Sequence, residues 1–203
     1  MSNIIRCDGI VLAENIYGEF DKMLTVLTAE HGKISVSAKG AKKTNGRFLA
    51  VSQQFCYSSM QLYEGKNGIY TLSDARLINS FYDLRKDLDT VFTAGEIAKL
   101  TLKVSQPEFG DNDLMRLLLN TLYFLSKGEK NRELLAAIFK IRLVSDQGFF
   151  DDTEYLSAGT EASVSHICLS PMEKLFSFEV SEPVLEELKK IADYVVSKML
   201  NAI

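Results

Sequence analysis

The chain has 203 residues, of which 46% are hydrophobic and 25% charged, and it carries a formal net charge of −4. Those proportions fit a globular protein with room for one large domain or two small ones, and they exclude a disordered or collagen-like chain. The opening MSNIIRCDGIVLAEN has a charge inside its apolar run and no small-residue cleavage pattern, and no apolar stretch reaches the roughly 18 residues of a membrane span, so a soluble cytoplasmic protein is expected.

From Asn3 to about Leu77, short runs rich in β-branched and aromatic residues predict five strands: IIRCDGIVLAEN, MLTVLT, KISVSAKG, QFCYSSMQLY and GIYTLSDARLI. Turn signals separate them at Tyr17-Gly18-Glu19, Glu30-His31-Gly32-Lys33, Thr44-Asn45-Gly46 and Glu64 to Gly68. Seven of the twelve glycines and none of the three prolines fall here, which suits five turn-linked strands closing into a small barrel. Beyond Phe81 the period lengthens to about 3.6 residues. Leu84, Leu88, Val91, Ala98 and Leu102 mark one amphipathic face, Leu114, Leu117, Leu118, Leu122 and Leu125 a second, and Leu134, Ile138 and Ile141 a third. A last helix starts at Ser181 as N-cap, places Glu182, Glu186 and Glu187 early and buries Leu185, Leu188, Ala192, Val195 and Met199. The predicted class is α+β, with a barrel over residues 1–80 and an all-α domain over residues 81–203.

Charge divides with the pattern. Residues 1–85 carry ten Lys/Arg against eight Asp/Glu, and residues 86–203 carry thirteen against nineteen. Most of the basic excess lies in AKGAKKTNGR, Ala38 to Arg47, with four cations and no acid. Such a run is either a solvated face or, on a small barrel, a surface for phosphates. Lys39, Lys42, Lys43 and Arg47 are the candidate phosphate donors, with Arg6, Lys22 and Lys33 extending the patch if their strands place them on the same face. Tyr17 and Phe48 flank turns and are the stacking candidates, whereas Phe55, Tyr57, Tyr63 and Tyr70 suit the barrel core.

No catalytic constellation stands out. His31 lies in a hairpin turn, His166 in a short helical stretch, and no P-loop, H-E-x-x-H or G-x-S-x-G motif is present. Asp21-Lys22 reads as an exposed turn ion pair. Cys7, Cys56 and Cys168 are too scattered for a disulfide framework or a zinc site and read as buried apolar residues.

The stretch GIVLAENIYGEFDKMLTVLTAEHGKISVSAKGAKK, Gly9 to Lys43, resembles the bacterial RecO family of recombination mediators, through YGE, DK, GK and AKGA. The likeness continues through Gln54-Phe55, YTLSDARLINSFYDLRKDL, LMRLLLNTLYFLSKG, FKIRLVSDQGF and LSPMEKLFSFEVSE. It implies an N-terminal OB-type barrel and a C-terminal helical domain. It also implies binding of single- and double-stranded DNA, annealing of complementary strands and, with RecR, loading of RecA onto strands coated by single-strand-binding protein. None of these is enzymatic turnover, and no cofactor is implied.

The acidic C-terminal tail of single-strand-binding protein is expected on the helical domain. Arg142 best matches a family position for it, with Lys140, Arg132, Lys99 and Lys103 as neighbours. Many family members carry a four-cysteine zinc module after the step that here reads Gly148-Phe149. Those cysteines are missing, so no zinc is expected. Two rival readings stay open. One is an OB-fold adaptor for RNA or protein without annealing activity, and the other is a metal-dependent nuclease built on Asp151, Asp152 and Glu154.

Overall fold

The computed structural model describes residues 4–150 and 157–203, apart from the side chain of Lys66. Five strands, β1 (Ile4–Tyr17), β2 (Asp21–Thr28), β3 (Gly32–Ala38), β4 (Tyr57–Glu64) and β5 (Ile69–Asn79), close into a barrel in the order β1-β2-β3-β5-β4. This is the expected OB-type barrel. β3 runs parallel to β5, and the other pairs are antiparallel. The period of two predicted for the strands decides which side chains enter: Ile34, Val36 and Ala38 of β3 are buried while Lys33, Ser35 and Ser37 point away. β1 is long enough to serve two neighbours. Its first half pairs with β4 and its second with β2, and a register shift between Val11 and Ala13 lets it bend from one to the other.

Among the described residues, the helices α1 (Leu88–Val104), α2 (Asn112–Lys127), α3 (Arg132–Asp146), α4 (Ala158–Leu169), the single turn α5 (Met172–Leu175) and α6 (Glu182–Ala202) follow the barrel. α3 starts where Asn131 accepts hydrogen bonds from the Glu133 and Leu134 amides at 2.9 and 3.1 Å. It buries both flanks, Leu134, Ile138 and Ile141 on one and Leu135, Phe139 and Leu143 on the other, and it packs against α4 and α6. Ser181 stands at the N-cap of α6, as predicted, but makes no side-chain capping bond there.

The chain forms two compact units, Met1–Asp83 with Ala98–Met115, and Leu84–Ile97 with Arg116–Ile203. In the first, the segment Ser105–Gly110 lies as a strap across the β2–β3 turn. The Lys33 amide donates to Gln106 O, the Glu108 amide to His31 O (both 3.1 Å), and Lys33 Nζ to Leu102 O at 2.9 Å. Gly32, at φ +61°, permits this approach, because a Cβ there would stand 2.2 Å from Gln106 O and 2.4 Å from Phe109 O. Gly110 meets the same turn from the strap side, 2.2 Å from Ala29 O by the same measure.

Cys7 and Cys56 are buried and Cys168 half-buried. Burial, aided by Glu30 and Asp8, pushes the Cys7 thiol up to about 11, and burial also raises Cys168, so these thiols stay protonated at neutral pH.

Candidate nucleic-acid interface

The β1–β2 hairpin runs past the barrel core. No residue between Leu12 and Leu24 is buried, and the ladder ends at the pair Tyr17 and Asp21. Ile16, Tyr17 and Phe20 are 70%, 65% and 43% exposed at this tip.

The segment after β3 is tied to the same tip. The Gly40 amide donates to Asp21 Oδ1 at 2.8 Å and the Lys42 amide to Phe20 O at 2.9 Å. Successive turns follow, with the Lys43 amide donating to Gly40 O, Gly46 to Lys43 O and Leu49 to Gly46 O at 2.8 to 3.1 Å. Gly46 lets the loop fold back on itself, since a Cβ there would lie 2.4 Å from Gly40 O. The outcome is a two-faced loop. Ala41, Phe48 and Val51 enter the barrel core, while Lys39, Lys42, Lys43 and Arg47 are exposed. Among the described residues none of the four is ion-paired; Lys43 Nζ lies 5.4 Å from the Phe20 ring centroid and the Arg47 guanidinium 4.4 Å from that of Phe48.

The residues of the predicted patch fall in different places. Tyr17 stands exposed at the tip to which the loop is tied at Phe20 and Asp21. Phe48 does not act as a stacking surface: at 4% exposure it fills the barrel end, under Arg47. Lys22 is bound to Glu14 across the hairpin, not to Asp21, whose carboxylate holds the loop instead. Lys33 lies at the other end of β3, with its ammonium on the last turn of α1. Arg6 is exposed but sits near the start of β1 opposite Gln61, at the far end of that strand from the tip. Sequence reasoning missed Phe20, although an aromatic inside the YGEF turn has no core position to fill and was the available signal.

The five cations assigned to a partner surface divide between the two compact units. Lys99 and Lys103 are exposed on the second half of α1, which belongs to the compact unit that holds the barrel. Arg142 is 16% exposed and turned inward. It donates from Nε to both oxygens of Asp146 at 2.8 and 3.0 Å, and from Nη1 to Ile167 O and Ser170 O at 3.1 and 2.7 Å. The last carbonyls of α4 lack helical partners, and this guanidinium satisfies them. Arg142→Ala is therefore expected to lower stability by about 2–3 kcal/mol, and Arg142→Lys to recover only part of it. A melting curve of the alanine variant that superimposes on that of the parent protein would refute this anchoring role.

Arg132 and Lys140 do share one groove, of about 460 Å³, lined also by Phe92, Ala136, Lys189 and Asp193. Its cations are already engaged. Arg132 bonds Asp87 and Asp89 at 3.1 Å each, Lys140 bonds Asp193 at 2.8 Å, and Lys189 bonds Glu133 and Glu186 at 2.8 and 2.7 Å. The hydrogen bond to Glu133, then that to Glu186, raises the pKa of Lys189 above the ordinary lysine value. Such exposed pairs exchange readily with water and with incoming ions.

His31 lies in the β2–β3 turn, and its amide donates to Thr28 Oγ1 at 3.0 Å. His166 lies on α4, between Lys174 O and Ser170 Oγ, with its ring edge-on to Phe178. Among the described residues no three His, Cys, Asp or Glu side chains cluster as metal ligands, and no helix is long and apolar enough to cross a membrane. Asp151, Asp152 and Glu154 lie outside the described residues.

A family model described as Recombination protein O N terminal matches residues 1–81. The chain is 31% identical to a DNA repair protein RecO of Acetivibrio thermocellus, across 98% of this chain and 92% of that one. It is 32% identical to a protein of the same description from Caldicellulosiruptor saccharolyticus, over 97% and 87% of the two chains. A third, from Alkaliphilus metalliredigens, is 30% identical over 98% and 84%.

Proposed function

From the premise that the chain belongs to the RecO family, we propose that this DNA repair and recombination protein holds DNA through the loop 39–47 and brings complementary strands together. One observation carries the reading: a loop with four exposed cations, none of them ion-paired among the described residues, is tied through the main-chain amides of Gly40 and Lys42 to a projecting hairpin tip on an OB-type barrel. The cations meet phosphates, which are common to every sequence and to both single strands and duplex, so binding is independent of base order. Two strands shielded at once repel each other less, and complementary bases then pair without ATP. No step calls for covalent chemistry.

In the cell this activity operates with RecR to load RecA onto strands coated by single-strand-binding protein. The helical residues 81–203 serve the partners. For the acidic tail of single-strand-binding protein, the groove with Arg132, Lys140 and the 65% exposed Phe92 is favoured, because its exposed ion pairs open to an incoming carboxylate beside an aromatic wall. Annealing of two complementary oligonucleotides, one end-labelled, in EDTA tests the proposal. Acceleration by the purified protein is expected. A folded protein that leaves the rate unchanged would point instead to an adaptor, and metal-dependent loss of oligonucleotide to a nuclease.

A further inference from the structure

We infer that Phe20, with Tyr17 beside it on the β1–β2 tip, is a stacking platform for unpaired nucleobases, and that the rings rather than the lysines discriminate single strands from duplex. The inference rests on the reading of loop 39–47 as a phosphate surface and assigns the hairpin a separate task.

The apolar tip is not part of the barrel core. With no buried residue between Leu12 and Leu24, Ile16, Tyr17 and Phe20 stand clear of the core, and an exposed apolar cluster of this kind marks a binding surface. Its surroundings select the occupant. The Phe20 carbonyl and the Asp21 carboxylate fasten this stretch to the cationic loop, accepting from Lys42 N–H and Gly40 N–H respectively. The Lys43 ammonium lies 5.4 Å from the ring centroid. A flat apolar face next to cations complements a polyanion that also presents flat apolar faces, which is an unpaired nucleic acid strand. Glu19, exposed between the two aromatic residues, repels phosphates and so leaves the rings to bases. In a duplex the base faces are stacked on one another, so only the loop cations engage.

Anisotropy titrations of the full chain with a thymidine oligonucleotide of about 20 residues and with a duplex of equal length test this, each over a salt series. Phe20→Ala is expected to weaken single-strand binding roughly 5- to 100-fold, while duplex affinity stays within about twofold and the salt slope is unchanged. Tyr17→Ala acts in the same direction, and Phe20→Trp retains single-strand affinity. Equal losses on both DNAs, or no loss on either, would overturn the inference, the second outcome assigning the tip to a protein partner. If the unsubstituted protein binds neither DNA, the phosphate reading of the loop fails with it, and that is seen before any variant is made.

Discussion

Replacement of Lys39, Lys42 and Lys43 together by alanine is expected to flatten the salt dependence of DNA binding, by about 2 log–log units on a single strand and nearly 3 on duplex. Each lysine on a phosphate releases condensed counterions worth roughly 0.7 of slope for a single strand and 0.9 for duplex. At low salt the loss amounts to two orders of magnitude or more, and it falls alike on all sequences. The chain's net charge of −4 does not prevent binding, because charges beyond roughly 10 Å are screened at 0.1 M salt and the local cluster sets the sign. The loop should survive the substitutions. It is held by main-chain amides of Gly40, Lys42 and Gly46 and by the buried Ala41, Phe48 and Val51, none of which depends on a lysine side chain. Melting should therefore shift by no more than about 0.5 kcal/mol equivalent. A folded triple variant with the parent affinity and slope would return the loop to an ordinary solvated surface.

Gly32→Ala is expected to be the most damaging single methyl group in the barrel unit. The residue sits at φ +61°, where a side chain costs about 1 kcal/mol, and its Cβ would meet backbone carbonyls of the strap at 2.2 and 2.4 Å. Main chain cannot rotate aside as a side chain can. The strap must lift, and the bonds from Lys33 N–H to Gln106 O and from Glu108 N–H to His31 O go with it. A loss of about 3–4 kcal/mol follows, or a melting point lower by roughly 6–15 °C for a chain of this size. Hydrogen exchange should speed up first at the amides of Lys33 and Glu108. Parent-like melting together with parent-like protection at those amides would show that the strap does not bear on the turn.

Strands and long helices were legible because each repeats one burial rule over many residues. Ile34, Val36 and Ala38 alternate with polar neighbours, and Leu134, Ile138 and Ile141 recur at helical spacing. α4 was harder to see, since its buried positions Thr160, Ser163, Val164 and Ile167 have the helical spacing but two of the four are polar. Its start is fixed instead by Ser157, which accepts from the Thr160 amide, and by Glu187, which receives both the Ser157 and Thr160 hydroxyls.

Within the site, the cationic loop could be read as a charge cluster, but its inner face could not. Ala41, Phe48 and Val51 share one side through a series of turns, which follow no single period. Charge alone also does not reveal partners. Lys43 and Lys22 are both lysines of the barrel, yet one is unpaired beside a ring and the other is neutralised by Glu14. Arg142 is set apart from a surface arginine only by two carbonyls at the end of a helix that lies far along the chain.

The strap has a consequence for how the protein is made. Residues 98–115 complete the unit that begins with the barrel, so a nascent chain that has just released β5 from the ribosome carries a β2–β3 turn whose covering segment has not yet emerged. At roughly 5–20 residues per second, about 2 to 7 s of synthesis separate residue 80 from residue 115. Throughout that interval the Lys33 amide and the His31 carbonyl depend on water. Slow codons in this window would prolong the exposure, and synonymous changes there can alter the yield of folded protein without altering one residue of it.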